Sequence, residues 1–234
     1  MKKRTVALLC AAVALLGVIF GGTMAWLNRG TAPVVNTFTT ANVGLDLTET
    51  DREYIMAPGA VLDKDPKVIV DKDSASSYLF VVVNEVNFDK DPITWTADPG
   101  WKKVEGLDKQ IVYYREFDEK NPGTLEKVTV KDENGKNVEK EAYVFPFLKD
   151  NQVIVSEDLK QPDMDAYKEA GRKETNALDA YPQLVFTAYA IQRDYLKDAD
   201  GNPIPKNPEN PTNTEIVAIY RMAVKQTTEP TVET

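Results

Sequence analysis

The sequence predicts a mainly β protein, an antiparallel β-sandwich with one or two helical insertions. Two observations carry this prediction. Short segments rich in β-branched and aromatic residues alternate with turn-forming residues at fairly regular spacing, which is typical of an all-β sandwich. Only one long stretch has the composition of a helix. Because the 234 residues contain no solenoid-type repeat and no clear linker, we expect one domain over residues 26–225.

The predicted strands follow from the apolar pattern. In 36–48, Val43, Leu45 and Leu47 alternate with polar or small residues, which predicts a half-buried strand. The segment 78–83 is apolar throughout, which predicts a central strand covered on both faces. The Asn134-Gly135 turn signal joins 125–131 to 138–145 as a hairpin. The other predicted strands are 67–71, 93–96, 110–117, 152–155, 184–191 and 216–224.

Three stretches depart from the β pattern. The segment 163–180 is rich in Ala, Glu, Lys and Leu and lies between Pro162 and Pro182, which predicts a helix with a break at Gly171. The segment 201–212 contains four prolines, so we expect an irregular loop between the last two predicted strands. The polar segment 226–234 predicts a disordered tail.

The N-terminus has the pattern of an export signal. Basic residues at positions 2–4 precede an apolar stretch, 6–20, and small residues follow it. This predicts a signal peptide over residues 1–25, cleavage between Ala25 and Trp26, and a secreted mature protein. The alternative is a retained anchor, because 6–27 is long enough to cross a bilayer of about 30 Å. We favour cleavage because no charged stop-transfer flank follows the apolar stretch.

Composition excludes several function classes. The chain has no His, and its one Cys, Cys10, lies in the predicted signal. It therefore lacks the imidazole of Ser-His-Asp and Cys-His catalysis and of His-ligated metal sites. Cleavage would remove three positive charges and no acidic one, which changes the net charge from −9 to −12. Because no Lys/Arg stripe is present, we expect no nucleic-acid partner.

Acidic and aromatic residues leave weaker possibilities open. Asp63, Asp65, Asp89 and Asp91 belong to two Asp-Lys-Asp-Pro tetrapeptides, which could supply oxygen ligands to Ca²⁺. We favour ordinary turns, in which Asp accepts local backbone hydrogen bonds. The tryptophans at 26, 95 and 101 could form a sugar-stacking platform, although buried Trp is the commoner role. A carboxylate pair could support hydrolysis, but we expect no enzyme and no cofactor.

Two N-terminal segments resemble the TasA and camelysin (CalY) family of Gram-positive spore formers. They are 21–28 (GGTMAWLN) and 36–47 (NTFTTANVGLDL), with further similarity at 58–59 (PG), 77–81 (SYLFV) and 186–192 (FTAYAIQ). The sequence departs from the family pattern at Leu27, where an aromatic residue is usual, and at Arg29, where an acid is usual. It also has Ala41-Asn42 where a Gly or small residue is usual.

The resemblance implies a jelly-roll-like β-sandwich, cleavage by a SipW-type signal peptidase and assembly into biofilm-matrix or cell-surface fibres. It also implies that the freed segment, here 26–47, is donated as a strand to a neighbouring copy. Asn36, Phe38, Val43, Leu45 and Leu47 are the candidate assembly residues, and the partners would be other copies and possibly other matrix proteins.

Two alternatives to this picture stay open. Segment 26–47 could be an ordinary first strand of its own sandwich. The competing function is a secreted calcium- or glycan-binding surface module. The family also includes proteins described as surface metallopeptidases, but a chain without His, and without Cys after cleavage, lacks ordinary zinc ligands.

Overall fold

Strands dominate the computed structural model, which describes residues 43–50, 56–89, 91–120, 122–131, 134–174 and 180–228. Over these residues, eleven strands form three antiparallel sheets that pack together, and two helices accompany them. The predicted fold class, a mainly β jelly-roll-like sandwich with one or two helical insertions, is confirmed at the level of this sandwich architecture.

The three sheets share the strands as follows. The first sheet has the order β1-β3-β9-β8, with β1 (Leu45–Thr48), β3 (Lys67–Asp71), β9 (Asn137–Pro146) and β8 (Leu125–Lys131). The second has the order β2-β10-β5, with β2 (Val61–Asp63), β10 (Leu148–Val155) and β5 (Ile93–Ala97). The third has the order β11-β4-β7-β6, with β11 (Gln183–Gln192), β4 (Ser77–Val86), β7 (Ile111–Phe117) and β6 (Lys102–Lys103).

The inner faces of all three sheets meet in one main core. Phe147 is fully buried there, and its ring lies 5.5 Å from the rings of Trp101, Tyr113 and Phe186. Strand β4 pairs with β11 on one side and β7 on the other, and its residues 77–81 are buried. The expected central strand is therefore present, and it anchors the third sheet.

A second core lies on the outer face of the third sheet, under helix α2 (Asn213–Thr228). Residues 216–224, predicted as the last strand, belong to this helix, so that prediction is wrong. Ile216, Ile219, Tyr220 and Ala223 recur at helical spacing and are buried against the sheet. The run of β-branched and aromatic residues suggested a strand, but the buried pattern has the period of a helix.

The start of α2 is fixed by a capping box that the sequence contains. Thr212 and Glu215 have the Thr-x-x-Glu spacing. The Thr212 backbone N–H donates to Glu215 Oε2 at 2.8 Å, and the Glu215 N–H donates to Thr212 Oγ1 at 3.3 Å. Hydrogen bonds from the Lys206 backbone N–H, the Thr212 backbone N–H and the Thr212 hydroxyl to the Glu215 carboxylate lower the pKa of Glu215. The helix continues to Thr228, three residues into the predicted tail.

The other predicted strands and the predicted helix are present among the described residues, but not always at the predicted length. Helix α1 (Gln161–Gly171) ends at the glycine where a break was predicted. The hairpin of β8 and β9 pairs Lys131 with Asn137, and Gly135 in its turn has a φ of 75°. The short strands β2 and β6 were not predicted, because three and two residues are too few to show a period.

Candidate assembly edge

Strand β1 forms an edge of the first sheet and packs into the chain's own core. Val43 and Leu45 are buried, and Leu47 is partly buried against the same cluster. In the part of the chain that the structure describes, β1 pairs with β3 alone, with Leu45 opposite Val70. Residues 45–48 therefore form a strand of the chain's own first sheet, and Val43 packs into the core just ahead of it.

The rest of the N-terminal predictions falls outside the described residues. Asn36 and Phe38 of the candidate assembly segment and the cleavage pair Ala25 and Trp26 all precede residue 43. Within the described ranges, neither helix is long and apolar enough to cross a membrane. Residues 26–42 of the candidate donor segment likewise lie outside the described residues.

A lysine on the outer face of the first sheet ties β1 to its neighbours. Lys140 Nζ on β9 lies 2.6 Å from Asp46 Oδ2 on β1 and also bonds Asp71 on β3. Burial alone would lower the pKa of Lys140, but the two carboxylates outweigh it and raise the pKa above its ordinary value. This cross-strand contact holds β1 against its own domain.

The far end of β1 is held by a second polar group. Asp65 accepts hydrogen bonds from the Thr50 backbone N–H at 2.9 Å, the Thr50 hydroxyl at 2.7 Å and Lys67 Nζ at 2.9 Å. Burial alone would raise the pKa of Asp65, but these donors outweigh it and lower the pKa below its ordinary value. Asp65 therefore acts as a structural acceptor at the end of β1.

Gly44, just before β1, is packed too closely for any larger residue. Its N–H donates to Ser74 Oγ at 3.0 Å, and its carbonyl accepts from the Asp71 N–H at 3.0 Å. A Cβ at this position would lie 2.0 Å from Asp71 Oδ2. Glycine thus permits the close approach that brings Asp71 into the Lys140 contact.

Strand β11 is the longest strand at a sheet edge in the described part of the chain. Its ten residues, QLVFTAYAIQ, contain no charge and no proline. It pairs with β4 in an unbroken register from Gln183–Val86 to Gln192–Ser77. Among the described residues, no other strand pairs with it. An edge strand carries a row of backbone donors and acceptors that can bind another strand, although Ala188, Ala190 and Ile191 of β11 are buried.

The other edges have features that discourage pairing. Strand β8 carries charges at Glu126, Lys127 and Lys131, and β2 and β6 are only three and two residues long. Strand β5 is uncharged but has five residues, and Pro92 precedes it. Charge, shortness and proline are the usual ways in which natural sheets protect their edges. Strand β11 also follows a proline, Pro182, but it is long and its ten residues contain neither a charge nor a proline.

Strands β1 and β11 lie next to each other at one side of the sandwich. They contact each other, and Leu45 of β1 shares the main core with Ala188 and Ala190 of β11. The first described residue, Val43, therefore lies on the same side as the β11 edge. We call the pair of edges formed by β1 and β11 the β11 side, and the opposite end of the first sheet, formed by β8 and β9, the hairpin side.

The calcium candidates are not gathered into a site. Asp63 accepts a hydrogen bond of 3.3 Å from Gln152, and Asp65 faces the donors named above. Asp89 lies in a turn after β4, and Asp91 has a φ of 47°. Among the described residues, no three acidic, His or Cys side chains come together in a way that could hold a metal ion.

The two described tryptophans belong to the core. Trp101 is buried and donates its indole N–H to the Pro146 carbonyl at 2.9 Å. Trp95 packs edge-on against Tyr113 at 6.0 Å and donates to Glu85 at 2.7 Å. They therefore offer no exposed platform for a sugar, and Trp26 lies outside the described residues.

Asp198 is likewise a turn residue. It accepts the backbone N–H groups of Asp200 at 3.0 Å and Asn202 at 2.8 Å, with Gly201 at a φ of 83°. These hydrogen bonds lower the pKa of Asp198 below its ordinary value. The resemblance of 198–202 to half of a calcium loop is accounted for by this local geometry.

Comparisons with known proteins give no relative. No protein-family model, no curated protein and no solved structure matches this chain. The features of the β11 side consequently rest on its own residues. The Lys140 contacts and the edge position of β11 could not be predicted from the sequence. Both depend on which strands are neighbours, and the strand order is not visible in the sequence.

Proposed function

We propose that this chain is a secreted structural subunit of extracellular biofilm-matrix or cell-surface fibres. In this proposal a SipW-type signal peptidase releases the mature N-terminus between Ala25 and Trp26. Residues 26–42 of one copy then add as a strand to the β11 edge of the next copy. The mature protein acts on no substrate, and its principal partners are other copies of itself.

The observation that carries the proposal is the ten-residue, charge-free edge of β11. An added strand would gain main-chain hydrogen bonds along that edge, and its alternate side chains would contact the core that β1 and β11 share. The donor and the acceptor are different parts of the chain. Such a contact is head-to-tail, and it produces a filament when its rotation does not close into a ring.

Composition supports the same role. After cleavage the chain would have neither Cys nor His, so disulfides could not stabilise it outside the cell. It would depend on its hydrophobic core and on assembly. A net charge of −12 would keep single copies soluble until their edges meet.

The test is assembly of the mature protein, residues 26–234, followed by negative-stain microscopy and size-exclusion chromatography. We expect filaments from this form and folded monomers from a form that also lacks residues 26–35. A matched control replaces residues 26–35 by a Gly/Ser segment of equal length, which keeps the chain length but removes the side chains. Filaments from either altered form, or monomers from all three, would contradict the proposal.

A further inference from the structure

Lys64 lies near Asn151 and Glu49 where the β2–β10 ladder ends. The β2–β10 ladder pairs Leu62 with Val153 and Asp63 with Gln152. The next opposed residues are Lys64 and Asn151, and the Lys64 N–H donates to the Asn151 carbonyl at 2.7 Å. The ladder thus continues by one pair beyond the last residue of β2.

The backbone pairing places these two residues next to each other. Leu62 and Val153 pack into the main core, whereas Asp63 and Gln152 bond each other on the exposed face. The ladder is irregular beyond Gln152, because Asp150 and Asn151 have φ values of 56° and 53°. Lys64 and the Oδ1 atom of Asn151 are both buried at this point.

The surroundings are those of a reaction site shielded from water. Lys64 is only 7% exposed, its Nζ forms an ion pair with Glu49, and it lies 5.5 Å from the centroid of the Phe186 ring. Asn151 Oδ1 is buried and has no hydrogen-bond partner. A buried amide oxygen without a partner is rare and destabilising, and here it belongs to the residue whose carbonyl accepts the Lys64 N–H.

We propose that Lys64 and Asn151 join in an intramolecular isopeptide bond, with Glu49 as the proton carrier. The Lys64 ammonium gives a proton to the Glu49 carboxylate, and the Nζ lone pair attacks Cγ of Asn151. The Nζ–Cγ bond forms and the Cγ–Nδ2 bond breaks. The nitrogen takes that proton from Glu49, and the second proton that Nζ loses on becoming an amide N–H follows by way of the same carboxylate. The leaving group therefore departs as ammonium, and Glu49 returns to carboxylate. The step is an exchange of amides, so no oxidant or reductant is required.

The bond would act as a covalent staple in a mature chain that has no cysteine. It connects the turn between β2 and β3 to β10 and closes a long loop of the sandwich, which restricts the unfolded chain as a disulfide does. It also lies next to β1 through Glu49 and next to β11 through Phe186. The inference is independent of fibre assembly, because the reacting residues belong to one chain.

Mass spectrometry of the purified secreted protein tests the proposal. We expect an intact mass lower by one ammonia than the mass of the sequence from the observed N-terminus. A protease digest should contain one branched peptide in which the segments around Lys64 and Asn151 are linked. A full sequence mass, with the two segments recovered as separate peptides, would overturn the proposal.

Variants locate the chemistry. Lys64→Arg and Asn151→Ala should both have the full sequence mass, and the matched control Lys67→Arg should keep the loss of ammonia. Glu49→Gln should keep both reactants but give unlinked protein. Complete linkage in that variant would overturn the role of Glu49. If a variant does not fold, the peptide map of the unaltered protein still decides whether the bond exists.

Discussion

The two long edges of this sandwich, β11 and β8, are protected to very different degrees. Strand β8 has three charged residues in seven, and most of its side chains are exposed. Strand β11 has ten residues without charge or proline and pairs with β4 without a bulge. A single lysine in an edge strand would be enough to protect that edge from pairing. An edge that lacks it over ten residues is therefore suited to accept another strand.

The cores beneath the two edges differ as well. The β11 side rests on the main core, where Phe186 of β11 packs 5.5 Å from the fully buried ring of Phe147. On the hairpin side, β8 contributes Val130 to a small cluster with Ile69 and Ala142 on the outer face of the first sheet, whereas Phe145 of β9 packs in the main core. The open edge thus belongs to the better-packed part of the sandwich, which lets it present fixed backbone groups to a partner.

The largest expected effect is a difference in filament formation between substitutions on the β11 edge and on the β8 edge. Val185 on β11 and Leu125 on β8 are each 42% exposed. Val185→Lys places a charge on the open edge and should abolish filaments of the mature protein by electron microscopy. The matched change Leu125→Lys should leave filaments unaltered. Both variants should keep the unfolding free energy within about 0.5 kcal/mol of the unaltered protein. An equal loss of filaments in both variants would contradict the proposed difference between the β11 and β8 edges.

The next largest effect is a difference in unfolding free energy between a substitution in the main core and one in the small outer cluster. Phe147→Ala should reduce the unfolding free energy by about 3–5 kcal/mol, because it leaves a cavity where several rings meet. Val130→Ala should reduce it by about 1–2 kcal/mol, since it removes roughly two buried methylene equivalents from a small cluster. Urea denaturation measures both values. Similar losses for the two variants would show that the cores contribute equally.

A smaller effect on stability is expected at Gly44, which precedes β1 on the β11 side. Gly44→Ala forces a Cβ against the Asp71 carboxylate, so the unfolding free energy should fall by about 1–3 kcal/mol. The double variant Gly44→Ala/Asp71→Ala removes the overlap with the carboxylate and leaves only a contact of 2.8 Å with the Cβ at position 71. Its loss should be smaller than the sum of the two single losses, as a double-mutant cycle in urea would show. Additive losses would mean that the carboxylate moves aside without cost.

The smallest effect is pH-dependent. The pKa of Asp65 is lowered in the folded chain from an ordinary value of 3.8. The ionised carboxylate therefore stabilises the fold above pH 3.8, and this contribution is lost as the pH falls through the lower, folded value. Asp65→Asn should reduce the unfolding free energy by about 1 kcal/mol or less at pH 7.

Thermal melts across pH check the sign of that effect. The difference between the Asp65→Asn variant and the unaltered protein should be constant at neutral pH and shrink below pH 3.8. The neighbouring change Asp63→Asn, which removes only the contact with Gln152, serves as the control. A difference that grows toward acid would contradict the assignment of Asp65 as an ionised acceptor.

Sequence reasoning predicted most strands because their apolar patterns are local. Alternation in 43–48 and the continuous apolar run at 78–83 both correspond to strands with the expected burial. It was wrong at 216–224, where β-branched residues outweighed a period of Ile216, Ile219, Tyr220 and Ala223 that is helical. The Thr212-x-x-Glu215 capping box was the available signal for the helix start.

The candidate site was much less predictable, because it depends on strand order. Nothing in QLVFTAYAIQ indicates whether the strand is central or at an edge, since both give an apolar run. The proximity of Lys64, Asn151 and Glu49 depends on the register of β2 with β10 and on the position of β1. Long-range pairing determines these features, and it has no local signature.

Helix α2 has a consequence for the kind of polymer that the proposed assembly would produce. It covers the outer face of the sheet that contains β11, with Tyr220 packed 5.5 Å from Phe80. Amyloid requires bare sheets that stack face to face in dry zippers. This helix prevents a second sheet from packing on that face. Only the β11 edge, and not the outer face of its sheet, is then left for pairing with another copy. Polymers that grow from it would add folded units along one dimension and would not condense into amyloid.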